Sequence, residues 1–274
     1  MISIWQEMFS FNFIVRAIIV GGIVSLCASL LGVSLVLKRF SMIGDGLAHV
    51  SFGALSVALA MNMAPLQISV PVVVTAAFFL LRISQNSKIN GDAAIALISS
   101  SSIAVGVTVT SLTSGLNADV SSYMFGSVLA MTQSDVQLSI ILSVIVFSLF
   151  VIFYDQIFAI TFDESFARAT GVKVELYNIL IAFLTAVTIV LGMRIMGTML
   201  ISSLIIFPAL SAMRIFHSFK GVMIASAVIS VVCFFFGITL SYVYATPAGA
   251  SVVLVNGLIF LIAAIIGWMI RRRS

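Results

Sequence analysis

Charge is scarce in this sequence. Asp, Glu, Lys and Arg make up 8% of the 274 residues, against about a quarter in a soluble globular domain, and the mean hydropathy is +1.27. A soluble domain is excluded, and the chain reads as an integral membrane protein. Histidine is scarcer still, with His49 and His217 the whole complement. The two cysteines, Cys27 and Cys233, lie inside apolar stretches without CxxC spacing, so they read as small packing residues and carry no information on redox compartment. No GxxxxGK[ST] loop occurs, so the chain has no phosphate cradle of that type and no energy source of its own by that route. HExxH and GxSxG are missing too. With two distant histidines, a hydrolytic site would have to be improvised, and we expect no enzyme activity, no catalytic residues and no permanently bound cofactor.

Long apolar runs fill the sequence instead. They come in blocks of roughly 17–25 residues parted by short polar breaks, the length an α-helix needs to cross about 30 Å of hydrocarbon. Barrel strands would be about half as long and would alternate. The expected fold is an all-α polytopic bundle, one domain over residues 1–274, with about nine (eight to nine) transmembrane helices. The spans read as 13–37, 47–62, 65–82, 93–113, 137–154, 177–197, 198–213, 221–243 and 248–270. The first block is too long for a signal-peptide core and lacks a small-residue cleavage pattern after it, so it is expected to remain as a helix. Segment 114–136, "SGLNADVSSYMFGSVLAMTQSDV", is too short and polar to cross twice, and we expect an outer loop with a re-entrant or surface helix.

The breaks "LKRF" (37–40), "RISQNSK" (82–88), 155–175, "RIFHSFK" (214–220) and the tail "RRRS" hold 11 of the 13 basic residues, leaving Arg16 and Arg194. The positive-inside bias makes that face cytoplasmic, the N-terminus outer and the C-terminus inner, which requires an odd number of crossings. Topology thus accounts for the net charge of +4, and nucleic acid is not an expected partner. Arg271 to Arg273 suit anionic lipid headgroups.

Within this apolar chain "SMIGDGLAHVSFGAL" (41–55) places Asp45 four residues before His49. Residues four apart on a helix share a face with Cβ atoms about 5–6 Å apart, so a carboxylate oxygen and an imidazole nitrogen can converge on one point. Oxygen plus imidazole is a ligand set compatible with zinc, manganese or iron. Gly53 and Ser56 continue that face with little bulk, and Gly44 and Gly46 would let the backbone enter the helix sharply or break it. Two ligands rather than four suit a pathway, in which an ion must both bind and leave. The competing reading is that Asp45 caps a helix starting near residue 47 and His49 bonds a neighbour.

Three other stretches have two readings each. In "DQIFAITFDESFARATGVKVE" (155–175), Asp163 and Glu164, then Phe166, Ala167, Ala169 and Gly171, describe a short capped helix with a glycine stop, which on composition serves as an interfacial connector. In "IIFPALSAMR", Pro208 removes a backbone donor and gives either a static kink or a hinge, with Ser202 and Ser203 available to bond freed carbonyls. Serines 99–102 could line a hydrated path but read better as interhelical packing.

The stretch 41–55 resembles the signature of the metal-ion permeases of bacterial ABC transporters, the zinc/manganese/iron group, at Ser41, Asp45, Leu47, His49 and Gly53. "YMFGSVLAMT" (123–132), "ITFDESFARATGVKV" (160–174), "GTMLISSLIIFPALSAMR" (197–214) and "ATPAGASVVL" (245–254) resemble further family segments in the expected order. The resemblance implies a type II ABC importer-like permease in the bacterial cytoplasmic membrane, working as a homodimer with two cytoplasmic ATPase subunits and an extracytoplasmic metal-binding protein. It implies that Asp45 and His49 contact the metal. It also implies that 155–175 is a coupling segment docking into the ATPase through Asp163, Glu164, Phe166, Ala167, Ala169 and Gly171. "TPAGASVVL" and "FPALSAMR" are similar to zinc-uptake members, which favours zinc and leaves manganese and iron open. A self-contained secondary metal transporter is the alternative, but it predicts further ionisable residues at depth and inverted repeats around broken helices, and neither stands out.

Overall fold

The computed structural model describes residues 2–86, 91–113 and 133–273. Twelve helices follow one another: α1 (Ile2–Ser10), α2 (Asn12–Leu37), α3 (Ser41–Ala60), α4 (Pro65–Asn86), α5 (Gly91–Leu112), α6 (Gln133–Ile152), α7 (Tyr154–Phe162), α8 (Glu164–Ala169), α9 (Val174–Met196), α10 (Thr198–Ile215), α11 (Phe219–Tyr244) and α12 (Ala248–Arg273). Eight of them are long and apolar enough to cross a membrane, and nine spans result when α6 and α7, which meet at 68°, are taken together. The all-α bundle expected from hydropathy is what forms. The surface helix expected at 114–136 falls on residues outside the described ones, apart from 133–136, which open α6.

Burial sorts the helices. α2, α3, α9 and α10 are largely enclosed, whereas α5 and α12 present most of their surface outward. The outward residues are themselves apolar, among them Leu97, Val105, Leu254, Leu258 and Ile265. That arrangement suits hydrocarbon as solvent, where burial of apolar area no longer drives association and close backbone approach does. The glycines supply it. A Cβ at Gly53 of α3 would lie 2.7 Å from the Ser102 carbonyl oxygen of α5, one at Gly46 would lie 2.8 Å from Ile95 Cγ2, and one at Gly32 of α2 would overlap the Ile205 carbonyl of α10. Ser99 stands 3.5 Å from the Gly46 position and Ser102 faces Gly53, so these two serines pack between helices as expected, while Ser100 and Ser101 are exposed.

Several boundaries differ from the sequence reading. α3 begins at Ser41 rather than 47, because Gly44 and Gly46 neither break the helix nor sharpen its entry; they lie buried inside it and let α10 and α5 approach. α1 was not expected: its nine residues are too short to span, and it packs through Trp5 edge-on against Phe235 of α11 at 5.3 Å. Segment 155–175 holds two helices rather than one, α7 and α8, separated at Asp163.

Tight turns join the helices at one end. At the end of α2, Arg39 adopts φ 61°, with its N–H on the Val36 carbonyl and the Phe40 N–H on that of Leu35, a Schellman closure in which a non-glycine residue takes the left-handed position. The same end carries α8, the start of α9, the Phe158–Phe219 contact between α7 and α11 (5.0 Å) and the approach of Gly267 of α12 to the Arg214 backbone. Lys38, Arg168, Lys173, Arg214 and Lys220 therefore gather at one end of the bundle, as the positive-inside argument requires.

Candidate metal site

Asp45 and His49 both lie inside α3, one turn apart. Phe40 is the N-cap residue and no side chain caps this helix, so Asp45, in the second turn, is not a cap. His49 Nε2 stands 3.5 Å from Asp45 Oδ2, with the side chains 20% and 42% exposed respectively. On either side of the pair the helix is closed in: Gly46 and Gly53 press on α5, and Gly44 presses on Ile205 of α10. The back of α3 meets α9, where Ser51 Oγ lies 3.6 Å from the Met193 sulfur. The carboxylate and the imidazole thus face the gap between α5 and α10. An Asp within an apolar membrane helix costs free energy to insert, the more so the deeper it lies, and is normally kept for a partner or a path.

Further along the face the side chains withdraw. Gly53 meets the backbone of α5, and the Ser56 hydroxyl donates to its own helix at the Phe52 carbonyl (2.9 Å). A residue missed by sequence reasoning takes their place. Ser202 of α10 stands near the Asp45 carboxylate, with its hydroxyl donating to the Thr198 carbonyl at 3.0 Å. Among the described residues no group of three or more His, Cys, Asp or Glu side chains assembles, so this chain supplies one carboxylate and one imidazole with a hydroxyl beside them.

Pro208 sits inside α10, six residues beyond Ser202, and the helix runs on past it. Its missing N–H frees the Leu204 carbonyl. Ser202 and Ser203 do not bond it, contrary to expectation; their hydroxyls go to Thr198 and Leu200 at 3.0 and 2.8 Å, because a serine reaches back one turn along its own helix and not forward.

The remaining predicted residues cluster on α8. Asp163 caps it, its Oδ1 accepting from the Ser165 and Phe166 N–H groups at 2.9 Å each. Gly171 closes it at φ +88°, with its N–H on Arg168 and the Val172 N–H on Ala167, so the expected cap and glycine stop are both present. Phe166 is 64% exposed, and Ala169 and Gly171 are also outward. Ala167 is the exception: it is fully buried against the bundle, about 100° round the helix from exposed Phe166, and its small size serves packing at home rather than approach by a partner. Glu164 turns inward to Lys38 and Asn178. Burial alone would push its carboxyl up, but the Lys38 hydrogen bond and charge, with Asn178 and Arg168, outweigh this and hold it below the ordinary glutamate value.

The comparisons with known proteins bear on the whole chain. The manganese import system permease protein ScaB of Streptococcus gordonii is 28% identical over 258 residues, 94% of this chain and 92% of that one. The high-affinity zinc uptake system membrane protein ZnuB of Haemophilus influenzae is 26% identical over 253 residues, 92% of this chain and 97% of that one. Among solved structures, PsaBC from Streptococcus pneumoniae in complex with Fab superposes with a TM-score of 0.86 at 27% identity, covering 96% of this chain and 95% of that one. The family model described as the ABC 3 transport family matches residues 10–267, and with it matching nearly the entire length, the chain belongs to that family.

Proposed function

We propose that this chain is the permease subunit of an ABC importer that carries a divalent transition metal into the cytoplasm, with zinc as its preferred ion. One observation carries the metal reading. Two ligand atoms bound to one tetrahedral ion at about 2.1 Å each stand ~3.4 Å apart, and Asp45 Oδ2 and His49 Nε2 are separated by 3.5 Å. The pair is spaced to share an ion without rearranging its helix. With two charged or imidazole ligands from one chain, the ion is held loosely enough to move on, and a second copy of the chain facing the open gap between α5 and α10 would complete its coordination in a homodimer.

Energy would come from a separate cytoplasmic ATPase docking on α8, with Phe166 as the anchor, since the sequence holds no phosphate-binding loop of the Walker type. An extracytoplasmic metal-binding protein would deliver the ion at the opposite end, and Pro208 would serve as the hinge on which α10, bearing Ser202, moves against α3. The basic end of the bundle would be cytoplasmic, placing the C-terminus inside and, with nine spans, the N-terminus outside.

Carboxylate plus imidazole accommodates zinc, manganese and iron, and relatives named for zinc and for manganese match at similar identity. Zinc is supported by the likeness of 207–214 and 246–254 to zinc-uptake members. Cells expressing the complete importer, given each radiolabelled metal at equal low concentration, should accumulate zinc fastest, and excess unlabelled zinc should block manganese and iron more than the reverse. Manganese or iron uptake indifferent to excess zinc would overturn the zinc assignment.

A further inference from the structure

Lys38 ends α2, and its ammonium is drawn into the protein with the side chain 7% exposed. There Nζ lies 2.6 Å from Glu164 Oε1 of α8 and 2.6 Å from Asn178 Oδ1 of α9, and Asn178 Nδ2 closes the ring by donating to Glu164 Oε1 at 3.2 Å. The end of α2 thus meets the consecutive helices α8 and α9, at least 126 residues further along the chain, at one charge. A lysine this enclosed carries a desolvation cost that its two partners must offset, so a merely decorative role is a poor account of it.

Lys38's place in the chain is what gives the contact consequence. Two residues follow before α3 begins, and both are pinned: the Arg39 N–H to Val36, the Phe40 N–H to Leu35 at 2.8 Å, and the Ile43 N–H to the Phe40 carbonyl. Arg39 is held in the left-handed region at φ 61°, which a non-glycine residue occupies only when its surroundings hold it there. The turn therefore has little slack. Asp45 comes only ~6 Å further along the α3 axis at 1.5 Å rise per residue. On the other side, α8 is fixed to the bundle by buried Ala167 and to Lys38 by Glu164.

We propose that the Lys38–Glu164–Asn178 cluster is the positioning link between the ATPase-docking helix and the metal pair, so that displacement of α8 is delivered through Lys38 and the tight 38–40 turn to the start of α3 and so to Asp45 and His49. This rests on the reading of α8 as the docking helix and deepens it by naming the residue through which docking reaches the ion. Lys38 touches neither metal nor nucleotide; it acts through α3.

The test uses the intact importer, permease with its ATPase, in vesicles with zinc as the probe. Lys38→Met removes the charge but keeps the stem, Asn178→Leu removes one partner at similar volume, and Lys38→Arg restores a donor. We expect Lys38→Met and Asn178→Leu to retain the ATPase on purification and to bind zinc within about twofold of wild type, while ATP hydrolysed per zinc transported rises at least ~tenfold for Lys38→Met and about threefold for Asn178→Leu, the range of couplings carried by such networks. Lys38→Arg should return the ratio to near wild type. If Lys38→Met fails to insert, Asn178→Leu carries the test alone. An unchanged ATP-to-zinc ratio in the variants that insert would overturn the proposal, and so would loss of the ATPase, which would make the cluster an assembly contact. Phe166→Ala reports on the underlying reading separately: full retention of the ATPase and full coupling in that variant would remove docking on α8, whatever the Lys38 variants do.

Discussion

At the scale of single residues the candidate site is small, and its parts differ in how far they could be read in advance. Asp45 and His49 were legible because helix geometry alone puts positions four apart on one face, although the span was read as starting at 47 and α3 in fact reaches back to Ser41. Ser202, Lys38 and Asn178 were not, because nothing in the local pattern links residues that meet only when distant helices pack; Lys38 and Glu164 are 126 positions apart. Ala167 was misread for a related reason: small size is compatible with packing inward or outward, and only the bundle decides. Ser202 supports the first residue-scale prediction. Its hydroxyl donates to Thr198 and leaves an oxygen lone pair near Asp45 for an ion held by the pair, and removing a group that supports a metal site commonly weakens binding 10- to 100-fold. Ser202→Ala should therefore weaken zinc binding to the purified importer by ~10-fold, measured by titration calorimetry, with the protein's unfolding temperature nearly unchanged. Wild-type affinity in that variant would remove Ser202 from the site.

At the scale of elements, hydropathy located the long helices well and the short ones badly. A run of apolar residues spanning the bilayer leaves few alternatives, whereas α1, α7 and α8 are each nine residues or fewer; α8 is capped by Asp163, and α1 and α7 lean on neighbouring spans through aromatic contacts. Gly44 and Gly46 of α3 were read as sharpening the helix entry or breaking it because in water glycine weakens a helix; between membrane spans the same residue lets backbones touch. Gly53 tests that account. The neighbouring atom is a carbonyl oxygen of α5 at 2.7 Å from a new Cβ, and backbone yields little, so Gly53→Val should cost about 1–3 kcal/mol. Gly257 of α12 has open space around it, and Gly257→Ala should be close to neutral. Thermal unfolding in one detergent compares the two, and equal stability of both variants with wild type would contradict the close approach of α3 and α5.

At the scale of the whole molecule, the scarcity of charge, the end-loaded basic residues and the enclosed α2, α3, α9 and α10 form one argument. One of the enclosed helices, α3, carries the Asp–His pair toward the gap between α5 and α10, and the basic end presents α8 with an exposed phenylalanine where a soluble partner can reach it. No phosphate-binding loop of the Walker type accompanies this arrangement, so metal movement and energy supply are expected to reside in different chains. The most direct test is zinc accumulation in ATP-loaded vesicles. The account predicts uptake when the permease is reconstituted with its ATPase and supplied with zinc-loaded metal-binding protein, and none by the permease alone under an ion gradient. It also predicts that Asp45→Ala or His49→Ala, each inserted and assembled normally, reduces uptake to that of empty vesicles. Wild-type accumulation in both variants, or gradient-driven uptake by the permease alone, would contradict it.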